Sequence, residues 1–200
     1  MNHYRNFFAI LLAVNLLAGC AAALVPATSD PARKLGWAQE LFDNQDRPLP
    51  AERLINEAIE IYKTQHDELG LAEGYRVYGL FFKSQAVERQ QNFYQNNGFQ
   101  DKSAAYDKRL DKAAEYFYKS LALMQKNNAS GSLPNVHLQI ALTHWRMNNL
   151  GAACTAFDDS LKAYKARMQQ HPDTKVVLPE EYSNFEIAVN DLKKRAGCRV

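Results

Sequence analysis

The stretch PNVHLQIALTHWRMNNLGAACTAFDDSLKAYK, residues 134–165, decides how the rest of the chain reads. In its first half Ile140, Ala141 and His144 fall on one helical face with His137 one turn before them. That is the i, i+3, i+4, i+7 spacing of a buried stripe. Its second half repeats the pattern with Ala153, Phe157, Ser160 and Leu161. Between the halves, Asn148, Asn149, Leu150 and Gly151 suit a helix end, because Asn and Gly tolerate the left-handed cap conformation. Ala141 and Ala153 are small enough for two backbones to approach closely, and Phe157 fills the space beside them. The stretch predicts a helical hairpin.

The same spacing recurs along the chain. Ala113, Phe117, Ser120 and Leu121 repeat the second-helix pattern, and Tyr75, Tyr78, Gly79 and Phe82 form a matching first helix. Residues 90–103, QQNFYQNNGFQDKS, separate the two. A weaker pair runs from Leu35 to about Thr64, with Trp37, Ala38 and Leu41 followed by Ala51, Ile55, Ala58 and Ile59. These residues resemble the tetratricopeptide repeat (TPR), a helical hairpin of about 34 residues. With Ala153 on the alanine that opens the family's second helix, Ile140-Ala141 fall on its Leu-Gly pair. Phe157 then falls on its aromatic position and Ser160-Leu161 on its Ala-Leu pair. His137 and His144 stand where the family usually has Trp and Tyr, and Lys165 where it commonly has a closing proline. The resemblance implies an all-α fold, a short α-solenoid of three TPR-like hairpins plus a C-terminal capping helix. The hairpins are expected at about 34–66, at 71–127 with the insertion 90–103, and at 134–167, and the capping helix at 179–197.

Residues 1–19 read as a signal peptide. Arg5 gives the positive start, and Phe7 to Leu17 is an apolar run broken only by Asn15, too short to span a bilayer as a lasting helix. Leu17-Ala18-Gly19-Cys20 resembles the bacterial lipobox, which implies a lipid on Cys20 and cleavage before it. An ordinary secretory signal or a short anchor helix is the alternative. Ala21 and Ala22 follow, and the absence of Asp after the lipidated Cys favours the outer membrane over the inner. Residues 20–33 make a short tether to a domain at 34–198. With Arg5 removed, the chain of net charge +2 falls to about +1, which gives no case for nucleic-acid binding.

Two cysteines remain, Cys154 and Cys198. An even pair in an oxidising compartment suggests a disulfide. The last helix reads with Pro179 in its first turn, Gly197 at its end, and Phe185, Ile187, Ala188 and Leu192 as its apolar stripe. Glu180 and Glu181 against Lys193, Lys194 and Arg195 complement its dipole. It resembles the helix that closes a TPR stack, and packed antiparallel on the preceding helix it would bring Cys198 to Cys154. DNQDRPLP at 43–50 reads as a turn with Pro50 starting the next helix.

No phosphate loop, nucleophile elbow or HExxH motif is present, so no enzymatic function, catalytic residue or cofactor is expected. His137 and His144 lie two turns apart without a third ligand nearby, which favours packed histidines over a metal site. Phe93 and Tyr94 sit in a polar insertion and are candidates for an exposed contact. By position, the resemblance implies a protein-binding groove lined by Arg76, Leu80 and Lys83, with Leu138, Leu142, Trp145 and Arg146. Such a groove suits an acidic peptide, a carboxylate or an aromatic-bearing segment. The expected function is a lipid-anchored periplasmic scaffold that positions a protein or peptide partner in envelope assembly, secretion or pilus biogenesis. A small-molecule or cell-wall-fragment binder, or an enzyme accessory, is the alternative, with the insertion as lid. Self-association through the insertion is a third.

Overall fold

The computed structural model describes residue 25, residues 27–170, residue 172 and residues 182–199. The signal peptide and Cys20 lie outside these, as do Pro179, Glu180 and Glu181. Among the described residues every regular element is helical. The α-helices are α1 (Pro31–Asp43), α2 (Pro48–Thr64), α3 (Glu68–Phe82), α4 (Gln85–Arg89) and α5 (Gln91–Asn97). A 3₁₀ turn (Tyr106–Lys108) leads into α6 (Arg109–Lys126), followed by α7 (Leu133–Arg146), α8 (Leu150–Gln170) and α9 (Phe185–Arg195).

Local chemistry sets these boundaries. Asp30 caps α1 by accepting from the amides of Ala32 at 2.9 Å and Arg33 at 3.3 Å. Asp67 caps α3 through the Gly70 amide at 2.8 Å, and Asn184 caps α9 through that of Ile187 at 2.9 Å. Four helices end alike, with a left-handed residue at His66, Asn128, Asn148 or Gly197. After α7 the Asn148 amide bonds the Trp145 carbonyl and the Asn149 amide bonds that of His144, each at 2.9 Å. This double bond pattern satisfies carbonyls that the helix end would otherwise orphan. Asn148 is the left-handed residue of the 148–151 turn, while Gly151 already belongs to α8. Pro48, not Pro50, begins α2, because two more residues fit the first turn ahead of it.

Three antiparallel pairs carry most of the packing: α1 with α2, α3 with α6, and α7 with α8. The contacts α2–α3 and α6–α7 join the pairs, and α9 lies on α8. At the α3–α6 crossing Gly79 faces the buried ring of Phe117, where a Cβ would stand only 2.7 Å from the nearest ring carbon. Ser160, buried on α8, donates to the Pro134 carbonyl of α7 at 2.8 Å.

The insertion corrects one expectation. Tyr94 is not an exposed contact: it is 1% exposed, as is Phe99, and their rings stack at 4.3 Å. Phe99 also meets Phe82 edge-on at 4.8 Å, and Phe93 packs half-buried against the same core. The insertion supplies its own apolar residues and folds back onto Phe81 and Phe82 of α3. Its return strand of chain is pinned by Glu52, a carboxylate 2% exposed that accepts from the Gln100 amide at 2.7 Å and Tyr78 Oη at 2.8 Å. Burial raises the Glu52 pKa against the opposing effect of those two bonds.

The last helix corrects another. Ile187 is 49% exposed, and Val189 takes its place in the core beside Phe185 and Ala188. Phe185 packs its ring at a tilt against that of Tyr164 of α8, centroids 4.9 Å apart, on the face that turns inward.

Candidate functional site

A cleft of about 420 Å³ opens between α1, α3 and α7. Helical spacing builds each wall. Gln39 and Asp43 come from α1 and Arg76, Leu80 and Lys83 from α3. Ser84 joins from the α4 cap, and Asn135 and Gln139 from α7. Three of the expected groove residues, Arg76, Leu80 and Lys83, are thus brought together.

The other four are placed differently. Leu138, Leu142 and Trp145 pack half-buried against the core and do not line the cleft. One helical residue is about 100° of rotation, so the face that reaches the cleft is that of Asn135 and Gln139. Arg146 acts as a staple: it donates to the Lys83 carbonyl at 2.6 Å and pairs with Glu88. Arg109 reaches the same Glu88 carboxylate at 2.7 Å and lies over the Tyr106 ring at 4.7 Å. Asn135, Gln139 and Arg146 share one polar stripe of α7, a pattern readable in the sequence.

The electrostatics of the cleft centre on Lys83. Its Nζ donates to Gln139 Oε1 at 3.0 Å and stands 5.9 Å above the Phe117 ring. Among the described residues no carboxylate forms an ion pair with it. Burial, helped by the Arg146 charge, pushes its ammonium down to about 8. Arg76 in contrast is paired with Glu73, with Nε at 2.8 Å and Nη2 at 2.6 Å from the two carboxylate oxygens. Across the cleft, burial raises the Asp43 carboxyl, and the Glu40 charge adds to it while a bond from Gln39 opposes it.

Of the two histidines of α7, His144 is buried and His137 half-buried. His144, 9% exposed, holds Nε2 3.0 Å from Tyr118 Oη, and burial lowers its pKa while Asp111 opposes the shift. Burial lowers that of His137 too. Among the described residues no group of three or more His, Cys, Asp or Glu side chains is disposed to hold a metal ion. No described helix is long and apolar enough to cross a membrane.

Cys154, in the first turns of α8, is joined to Cys198 just beyond α9, their Cα atoms 5.5 Å apart. Beside the bridge, buried Lys193 pairs with Asp158 at 2.5 Å, and further along Lys165 pairs with Glu186 at 2.9 Å. A second hollow of about 480 Å³ runs along α8 at Leu161, Lys162 and Gln169.

No protein-family model, curated protein or solved structure matches this chain.

Proposed function

We propose that this protein is a bacterial envelope lipoprotein whose three helical hairpins form a short solenoid of the tetratricopeptide kind and hold a partner in the cleft of α1, α3 and α7. Cys20 would carry the lipid, favour the outer membrane and present the domain to the periplasm, and the Cys154–Cys198 bond suits that oxidising setting. Stacked helix pairs, small residues at their crossings and a final helix on the last pair support the solenoid reading. The function is non-catalytic: the cleft positions a protein segment for assembly, secretion or pilus biogenesis.

One observation carries the choice of cleft. Lys83 is partly desolvated, donates to the neutral amide of Gln139 and has no carboxylate partner of its own among the described residues, so a carboxylate-bearing occupant would satisfy it. The test is photocrosslinking in native cells from benzoylphenylalanine placed at Leu80 and at Gln139, with exposed Ile187 as control. Adducts from the cleft positions alone support the reading. Equal labelling from Ile187, or none from the cleft, sinks it. The anchor is tested separately by mass spectrometry of the mature N-terminus, which should begin at an acylated Cys20.

A further inference from the structure

We propose that the cleft binds a small zwitterion, a free α-amino acid or a dipeptide, with its carboxylate on Lys83 and its ammonium on Asp43. The inference rests on the reading of this cleft as the binding site, but not on its occupant being a protein.

The cleft holds several charges, and most of them are used internally. Arg76 is held by Glu73, and Arg146 by Glu88 and the Lys83 carbonyl. Lys83 and Asp43 are the exceptions. An ammonium has three donors, and Lys83 spends one on Gln139 Oε1 at 3.0 Å. Among the described residues no cation forms an ion pair with Asp43, whose hydrogen-bonding neighbour is the neutral amide of Gln39 on its own helix. Among the described residues no ion pair joins Lys83 and Asp43. The two walls therefore present one charge of each sign without an ion pair of its own, Lys83 half-buried and Asp43 at the exposed rim, along a cleft of about 420 Å³.

A ligand bearing only a carboxylate would satisfy Lys83 and leave Asp43 facing like charge. A ligand bearing both groups satisfies both walls, and the amides of Asn135 and Gln139 can bond its remaining polar atoms. Leu80 is the apolar side chain of the lining, so a small or polar ligand side chain fits better than a bulky apolar one.

The experiment uses the full folded domain, ¹⁵N-labelled, and follows the side-chain amide signals of Gln39, Asn135 and Gln139. The probes are L-alanyl-L-alanine and an equimolar mixture of the twenty amino acids. Two blocked dipeptides complete the set: the N-acetyl form, which lacks the ammonium, and the C-terminal amide, which lacks the carboxylate. The free zwitterions are expected to shift the Gln139 and Gln39 signals saturably, and each blocked form to bind roughly tenfold or more weakly. Lys83→Gln should erase the discrimination against the amide, and Asp43→Asn that against the acetylated form. The blocked probes ask the same question without altering the fold. Equal binding of blocked and free dipeptides, or no saturable shift with any zwitterion, overturns the proposal. A crosslinked partner at Gln139 with no zwitterion binding would remove this inference alone. Zwitterion binding without an adduct would remove the protein-partner reading alone.

Discussion

Replacing Gly79 by Ala sets two effects of known sign against each other. Within an exposed helix the change gains about 0.8–1 kcal/mol from backbone preference. Here the new Cβ would stand 2.7 Å from Phe117 Cε1 and 2.9 Å from Cδ1 and Cζ. These separations are far below carbon–carbon contact, and Phe117 is fully buried, so its ring has no solvent to retreat into. Overpacking of this kind costs about 1–3 kcal/mol, and the absence of room puts the value near the top of that range. The net expectation is a loss of roughly 1–2 kcal/mol, a fall in Tm of about 2–8 °C for a chain of this size. The assay is thermal and urea unfolding of four variants, Gly79→Ala, Gly36→Ala, Phe117→Leu and the double variant of the first and third. Gly36→Ala on α1 is the control, because its Cβ would meet nothing within 4 Å, and it should stabilise by about 0.5–1 kcal/mol. Phe117→Leu removes the ring atoms that clash. In the Gly79→Ala background it should cost less than in the native chain, with a coupling of about 0.5–3 kcal/mol. If Gly79→Ala raises stability as Gly36→Ala does, or if the two substitutions add without coupling, the close approach of α3 to α6 is not what glycine serves.

Three further outcomes follow from the structure. Replacing Cys154 and Cys198 by Ser reopens a loop of sequence separation 44, which in the chain-entropy account lowers stability by roughly 4 kcal/mol and Tm by about 8–16 °C in calorimetry. Glu52→Ala leaves the buried Tyr78 Oη and the part-buried Gln100 amide without this acceptor, at a cost of about 1–3 kcal/mol, and amide exchange should rise at 99–101 before it rises in α8. Lys83 has a folded pKa of about 8, below its ordinary 10.5, so the folded state sheds its proton first. Its burial penalty is therefore present below pH 8 and is relieved as pH rises from 8 towards 10.5. Lys83→Met should stabilise the protein at pH 7, and the advantage should shrink through that window in urea titrations; an advantage independent of pH would count against a desolvated ammonium.

The sequence made the helices legible wherever contacts are local. Ala153, Phe157 and Ser160 announce α8 by spacing alone, and all three are buried. Tyr94 and Phe99 were not legible in the same way. Their burial depends on Glu52, which lies 48 residues before the Gln100 amide it accepts, and on aromatic rings of α3. No periodicity within 90–103 encodes that distance. The cleft was half legible. Arg76, Leu80 and Lys83 follow from the resemblance to the repeat family, but which stripe of α7 faces them depends on helix rotation, and Leu138 and Gln139 are adjacent residues about 100° apart. Asp43 belongs to a different hairpin, so its place in the same cleft as Lys83 is a product of stacking, beyond any motif.

The bond between Cys154 and Cys198 also decides how this molecule would bear load. A pull applied between residue 25 and Arg199 passes from α8 directly across the two sulfurs. The 43 residues from 155 to 197 are shunted out of the line of force. At about 3.3–3.6 Å of extension per residue, roughly 150 Å of slack is withheld from the stretched chain. Under such a pull the chain would yield in α1–α7, while α9 and most of α8 hang beside the taut chain as a closed ring. A dithiol reductant would release that length in a single-molecule extension trace as an added step.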